Sequence, residues 1–141
     1  MAAGLHILHL NSEASRESYK NNRVEDFRCR LPDRLVLDPA GEWYACLRQC
    51  SFGFAFTRSP LYLCCDICDD SIAGERKLPV LRVVHQRVGV FYNTCLYVPV
   101  KVRDLAEIRI YLLKTIDYGF PGYTDSNPTY LTLELRRGLP A

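Results

Sequence analysis

The chain has 141 residues, 48% of them hydrophobic and 24% charged. That length suits a single domain spanning residues 1–141 and leaves no room for two of ordinary size, and the composition excludes a chain that is disordered throughout. Eighteen Lys and Arg against sixteen Asp and Glu give a formal net charge of +2, too small an excess to single out nucleic acid as the partner.

The first residues, Met1-Ala2-Ala3-Gly4, form neither a basic nor an apolar leader region. No apolar run approaches the roughly 20 residues that a membrane span requires. The expectation is a soluble protein without membrane insertion, its seven cysteines reduced in an intracellular setting.

Leu5 to Leu10 is a short apolar run holding His6 and His9, cut off by Asn11-Ser12, and reads as a strand. Asn11 to Asn22 is polar apart from Ala14 and reads as a loop. From Phe27 to Leu31 the pattern alternates, with Phe27, Cys29 and Leu31 on one face and Arg28 and Arg30 on the other, the mark of a half-buried strand. Pro32 is expected to end it, since proline brings no ladder donor. Leu35-Val36-Leu37 is a separate apolar piece closed by the turn residues Asp38-Pro39-Ala40-Gly41.

Trp43, Ala45 and Leu47 then oppose Tyr44, Cys46 and Arg48, and Phe52, Phe54 and Phe56 carry the two-residue period onward. Strict alternation places Cys46 and Cys50 on a common outer face. After Arg58-Ser59-Pro60, the set Leu61, Leu63, Cys65 and Ile67 alternates against Tyr62, Cys64, Asp66 and Cys68. Asp69 to Lys77 reads as a charged loop, Leu78 to Val84 as a strand with Pro79 at its start, and Val88 to Val98 as another. Glu107 to Leu113 and Tyr130 to Arg137 alternate cleanly, separated by a stretch rich in Gly, Pro, Asp and Asn. A single short helix is expected at most, over Ser12–Asn22 or Lys101–Ala106. Eight strands with long polar connections point to an all-β sandwich or barrel, and two Greek keys over eight antiparallel strands make a single jelly roll.

The candidate chemistry is thin. Cys65 and Cys68 have CxxC spacing, but no second such pair completes a four-ligand zinc site. Alternation also turns Cys65 away from Cys64 and Cys68, so these cysteines read as small apolar fillers. In an oxidising setting Cys46 or Cys50 has Cys29 and Cys95 as disulfide partners, a connectivity the sequence leaves open. His6, His9 and His85 lack any hydrolase signature, and Asp66, Asp69 and Asp70 lack the spacing of a calcium loop. No phosphate-cradling glycine motif is present. The basic run Arg28, Arg30 and Arg34 is interleaved with Glu25, Asp26 and Asp33 and reads as a solvated face. The expectation is a non-enzyme with no catalytic, metal or cofactor-binding residues. Nine tyrosines favour protein–protein contact, because Tyr suits surfaces that are half wet and half buried.

An ordered set of segments resembles a known family. It comprises Leu31-Pro32 with Leu35-Val36-Leu37, Gly41-Glu42-Trp43-Tyr44-Ala45-Cys46-Leu47, Cys65-Asp66-Ile67, Ile72-Ala73-Gly74 and Leu78-Pro79-Val80-Leu81-Arg82-Val83-Val84. Tyr97-Val98-Pro99-Val100, Glu107-Ile108-Arg109-Ile110 and Leu131-Thr132-Leu133-Glu134-Leu135-Arg136-Arg137 complete it. In this order, from about Phe27 to Arg137, they resemble the penton (minor capsid) proteins of Polinton/Maverick elements, adintoviruses and adomaviruses. The segment from Lys114 to Phe120 and the Cys- and Arg-rich Cys46-Leu47-Arg48-Gln49-Cys50 depart from the family pattern.

The resemblance implies a structural capsid protein: a single jelly roll that assembles as a homopentamer at the fivefold vertices of an icosahedral virus-like capsid. It implies a double jelly-roll major capsid protein as neighbour, a vertex spike or fibre as a further candidate partner, and a place in the virion after assembly in the host cell, in the nucleus. It carries over no catalytic residue. In such a ring each subunit offers two different side surfaces, and Tyr118, Phe120, Tyr123 and Tyr130 are the oligomer-interface candidates. The alternative from another class is a jelly-roll module that binds a ligand or glycan.

Overall fold

The computed structural model describes residues 4–52, 60–85, 90–121 and 128–140. Every regular element among them is a β-strand, and all pairing is antiparallel. The strands are β1 (Leu5–Asn11), β2 (Asp26–Val36), β3 (Trp43–Ser51), β4 (Leu61–Cys65), β5 (Ser71–Ala73), β6 (Arg76–Leu78), β7 (Val80–Val84), β8 (Val90–Phe91), β9 (Val98–Pro99), β10 (Asp104–Lys114) and β11 (Tyr130–Arg137). One sheet runs β1-β11-β3-β8, with β9 also on β3, and the other runs β2-β10-β4-β7; β5 and β6 form a hairpin of their own.

The strand pairs are nested. The first strand lies against the last, β2 against β10, β3 against β8 and β9, and β4 against β7. The reason these segments form strands is visible in their alternation. Leu131, Leu133 and Leu135 on β11, Ile108, Ile110 and Leu112 on β10, and Phe27 and Cys29 on β2 are all buried and belong to one apolar cluster. Each fully buried side chain of this kind contributes about 1.5–3 kcal/mol relative to an exposed one. Trp43 joins the same cluster at 1% exposure and satisfies its indole by donating to the Asp38 carbonyl (2.9 Å), which a buried N–H requires. The two sheets therefore face each other across a shared core, in the manner of a β-sandwich.

Several local expectations are corrected. Pro32 does not end its strand: β2 continues to Val36, joining the Leu35-Val36 piece to the Phe27–Leu31 piece. The ladder with β10 jumps from Arg30–Glu107 to Leu35–Leu105, so residues 31–34 bulge out opposite Ala106. A bulge is where a strand tolerates a proline, because no ladder hydrogen bond is asked of it. Arg34, within that bulge, grips the Asp104 carboxylate through two guanidinium nitrogens and holds that carboxyl below its usual range.

On β3 the pairing with β11 slips between Leu47–Leu133 and Gln49–Thr132. The extra residue, Arg48, reverses the phase of the strand. Cys50 consequently enters the core cluster while Cys46 stays outside it, so the two do not share an outer face. A turn with Cys68 N–H donating to the Cys65 carbonyl (3.1 Å) likewise places Cys65 and Cys68 in the core together, rather than on opposite faces. The charged stretch after Asp69 contains the β5–β6 hairpin; of the strand expected over Val88–Val98, Val88 and Gly89 lie outside the described residues, and the rest falls into two short ladders, β8 and β9, parted by residues 92–97. The described residues thus hold eleven strand segments where eight were expected. The Ser12–Asn22 segment is a chain of turns begun by Asn11, whose carboxamide accepts from the Glu13 and Ala14 N–H groups. Lys101–Ala106 runs into β10, so neither segment is a helix.

The division between core and surface predicts contrasting substitutions. Ile110→Ala and Leu133→Ala, both at 0% exposure, are expected to cost about 2–5 kcal/mol each, whereas Ile72→Ala, at 81% exposure, should stay within about 0.5 kcal/mol. Denaturant unfolding monitored by tryptophan fluorescence measures all three.

Candidate interaction surface

The residues singled out for subunit contact fall on different features of the fold. Tyr118 lies in the turn that follows β10, where its backbone adopts a positive φ of 62° and its N–H donates to the Lys114 carbonyl (2.9 Å). Its hydroxyl donates to the Ala73 carbonyl (2.8 Å) and accepts from the Glu75 N–H (2.9 Å). Its ring stacks on Tyr62 of β4 at 6.3 Å and carries the Arg76 guanidinium at 4.3 Å. Gly74, with φ of 65°, permits this approach: a Cβ there would sit 2.3 Å from the Tyr118 hydroxyl. Tyr118 therefore clamps the tip of the β5–β6 hairpin onto the sheet containing β4, and its ring and hydroxyl are engaged within the chain.

Phe120 is 39% exposed, with the Arg23 guanidinium 5.8 Å from its ring centroid. Arg23 also pairs with the buried Glu25 carboxylate at 3.1 Å, so one cation joins the segment before β2 to the segment after β10. Tyr123 lies outside the described residues. Tyr130 opens β11 at 51% exposure, paired with Asn11 of β1 and Ser51 of β3. The structure thus brings Tyr118 and Phe120 into one loop and leaves Tyr130 on the other sheet.

Alternation left one surface unnoticed. With Leu8 and Leu10 turned to the core, Leu5 and Ile7 project outward from β1 at 45% and 47% exposure. They stand on the outer face of the β1-β11-β3 sheet, the face that also carries Tyr130. Beside them His9 Nδ1 and the Thr132 hydroxyl lie 3.0 Å apart, and the Gln49 carboxamide donates to that hydroxyl at 2.9 Å. The signal was present in the sequence as apolar residues on both faces of the first strand, a pattern that a one-sided strand lacks.

The edge strands β2 and β1, one from each sheet, differ in how their edges are treated. On β2, the Asn22 carboxamide donates to the Arg28 carbonyl and accepts from the Arg28 N–H, both at 2.9 Å, and the Ser15 hydroxyl accepts from the Arg30 N–H (2.8 Å). The 12–25 segment therefore occupies that edge, which blunts it against further pairing. Among the described residues, no backbone hydrogen bond outside the β11 ladder is made by Leu5 to Leu10 of β1.

An open polar cleft of about 470 Å³ lies beside β2, lined by Tyr19, Lys20, Asp26, Arg28 and Arg109 among others. Its guanidinium groups are paired: Arg109 forks onto Asp26 through two 2.9 Å hydrogen bonds, and Arg28 meets Glu107 at 3.1 Å. The Tyr19 hydroxyl donates to the same Glu107. On β4 and β10, burial pushes the Cys64 thiol and the half-buried Tyr111 phenol each up to about 12. Both are neutral near pH 7. Among the described residues, no group of three or more His, Cys, Asp or Glu side chains is arranged to hold a metal ion. No helix of the described residues is long and apolar enough to cross a membrane.

Neither the family models nor the curated proteins compared with the chain match it.

The Tyr118 clamp makes a local prediction. Tyr118→Phe keeps the ring stack but removes both hydroxyl hydrogen bonds, each worth about 0.5–1.5 kcal/mol. Amide exchange at Glu75 should then accelerate by about tenfold while amides in β10 keep their protection. Unchanged exchange at Glu75 would show that the hairpin is held some other way.

Proposed function

We propose that the chain is a structural shell subunit: a single jelly roll that assembles as a homopentamer at the fivefold vertices of an icosahedral capsid. The observation that carries the reading is the nested pairing of strands, with β1-β11-β3-β8/β9 in one sheet against β2-β10-β4-β7 in the other. A chain folded back on itself along its whole length and wrapped into two four-part sheets is the winding of two Greek keys. In this reading β8 and β9 together make one interrupted strand, and the β5–β6 hairpin is an insertion between β4 and β7. The segments that resemble penton proteins fall on this framework: Gly41–Leu47 leads into β3, Leu78–Val84 covers β7, and Leu131–Arg137 covers β11.

A jelly roll alone is shared by capsid subunits, lectins and cupins, so support for this reading has to come from the surface. A closed ring needs two unlike side surfaces on each subunit. The exposed Leu5, Ile7 and Tyr130 on one sheet and Phe120 at the loop end supply apolar surface in two separate places. The neighbouring shell component in this reading is a double jelly-roll major capsid protein, with a spike or fibre as a further partner, in a virion assembled in the host nucleus. A ligand- or glycan-binding role would draw on the cleft beside β2, whose carboxylates and guanidinium groups are already engaged with one another.

The experiment is mass photometry of the purified chain. A species at five times the 16.2 kDa chain mass is expected, and Tyr130→Glu and Phe120→Glu should each shift it toward monomer without changing the circular dichroism spectrum. A monomer at every concentration, also unable to join the capsid protein, would count against the proposal.

A further inference from the structure

The chain pairs with β3 at Phe91–Gln49 and again at Val98–Ala45. Between those two points residues 92–97 span β3 residues 46–48, so the longer segment bows away from the strand and passes beside Cys46. Cys95 lies in that bow. Its sulfur accepts a hydrogen bond from Arg48 Nη1 at 2.6 Å, and Cys46 belongs to the same group of residues: it follows Ala45, the partner of Val98, and pairs across the ladder with Glu134, which Arg48 also meets. Arg48 reaches this position because it is the bulged residue of β3, free of the strict alternation of its neighbours. Glu134, 4.0 Å from Arg48, accepts from the Tyr97 hydroxyl (3.1 Å), and the Arg136 guanidinium lies 5.8 Å from the Tyr97 ring.

Accessibility separates Cys95 from the other thiols. Six of the seven cysteines are buried and Cys95 alone is partly exposed. Cys46, next to it, is wholly covered. The other close pair, Cys65 and Cys68, is sealed in the core at 0% exposure, beyond the reach of a solution oxidant. The first pair has the division of labour that a peroxide-sensitive dithiol needs: one reachable sulfur beside a cation, and one protected sulfur on the stretch of β3 that the bow spans.

We propose that Cys95 and Cys46 form an oxidant-sensitive pair that closes to a disulfide between β3 and the 92–97 segment when the protein meets a hydroperoxide. The Cys95 thiolate attacks one peroxide oxygen, the O–O bond breaks, and hydroxide leaves to take up a proton as water. Cys95 is then a sulfenic acid. The Cys46 sulfur, giving up its proton, attacks the Cys95 sulfur; the S–O bond breaks and a second water departs. Two thiols are oxidised, one peroxide is reduced, and the Arg48 guanidinium stabilises negative charge on the attacking sulfur throughout. The bow of residues 92–97 supplies the slack for the bond to close without moving β3.

The test uses the reduced full chain, treated with hydrogen peroxide, blocked with N-ethylmaleimide and digested without reduction for mass spectrometry. The expected result is a Cys46–Cys95 linked peptide that appears before any other disulfide among the seven cysteines. Cys46→Ser should abolish that peptide and leave Cys95 as a sulfenic acid captured by dimedone, and Arg48→Ala should slow its formation several-fold in otherwise intact protein. Wild-type protein in which Cys95 remains alkylatable, or in which a different pair links first, overturns the proposal.

Discussion

The pairing of the chain's first strand with its last imposes a condition on every strand between them. Once Leu5–Asn11 lies against Tyr130–Arg137, β2 and β10 are brought together inside that bracket, then β3 with β8 and β9, and finally β4 with β7. Most of these ladders join residues far apart in sequence, so their loop-closure entropy must be offset by burial rather than by local preference. The offset comes from the cluster built around Phe27, Trp43, Ile110 and Leu133, to which strands of both sheets contribute. The core exists because the two halves pair, and the halves stay paired because the core they share is apolar and buried.

That dependence explains where polar side chains are spent. At the end of the sandwich where β11 begins, Thr129 is wholly buried. Its N–H donates to the Ser12 hydroxyl and its own hydroxyl donates to the Val24 carbonyl, at 3.0 and 2.9 Å. The Ser12 N–H returns to the Thr129 carbonyl at 3.0 Å. These bonds stitch the segment after β1 to the segment before β11, satisfying backbone groups that would otherwise be stranded where the strands leave the core. The same 12–25 segment then covers the edge of β2. A loop that reads as featureless polar sequence is thus the seam that closes one side of the molecule.

Alternation made the long strands legible. Phe27 and Cys29, Leu131, Leu133 and Leu135, and Ile108, Ile110 and Leu112 all face the core as a two-residue period requires. What alternation misreads is the residue after a bulge. One added residue at Arg48 inverts every later side chain on β3, which is why Cys50 lies inside and Cys46 outside. The turn after Cys65 has the same effect on Cys68. The β5–β6 hairpin is short and lies in a charged stretch, and it is held in place by the distant Tyr118, so its own residues carry little pattern. Among the interface candidates the aromatic type was informative but not the environment: Tyr118 directs both its ring and its hydroxyl inward, whereas Phe120 and Tyr130 keep substantial exposure. The exposed Leu5 and Ile7 left a trace in the sequence, as apolar residues on both faces of β1, but which face meets solvent follows only from the packing of Leu8 and Leu10 on the core.

The functional account rests on the step from one wound subunit to a closed ring. Near-neutral charge and apolar surface in separate places suit a component packed among protein neighbours. Electron-microscope images of the purified chain, sorted into two-dimensional class averages, test that step most directly. The account predicts closed rings with fivefold symmetry. Single globular particles of one chain, or closed assemblies of any other symmetry, would contradict it.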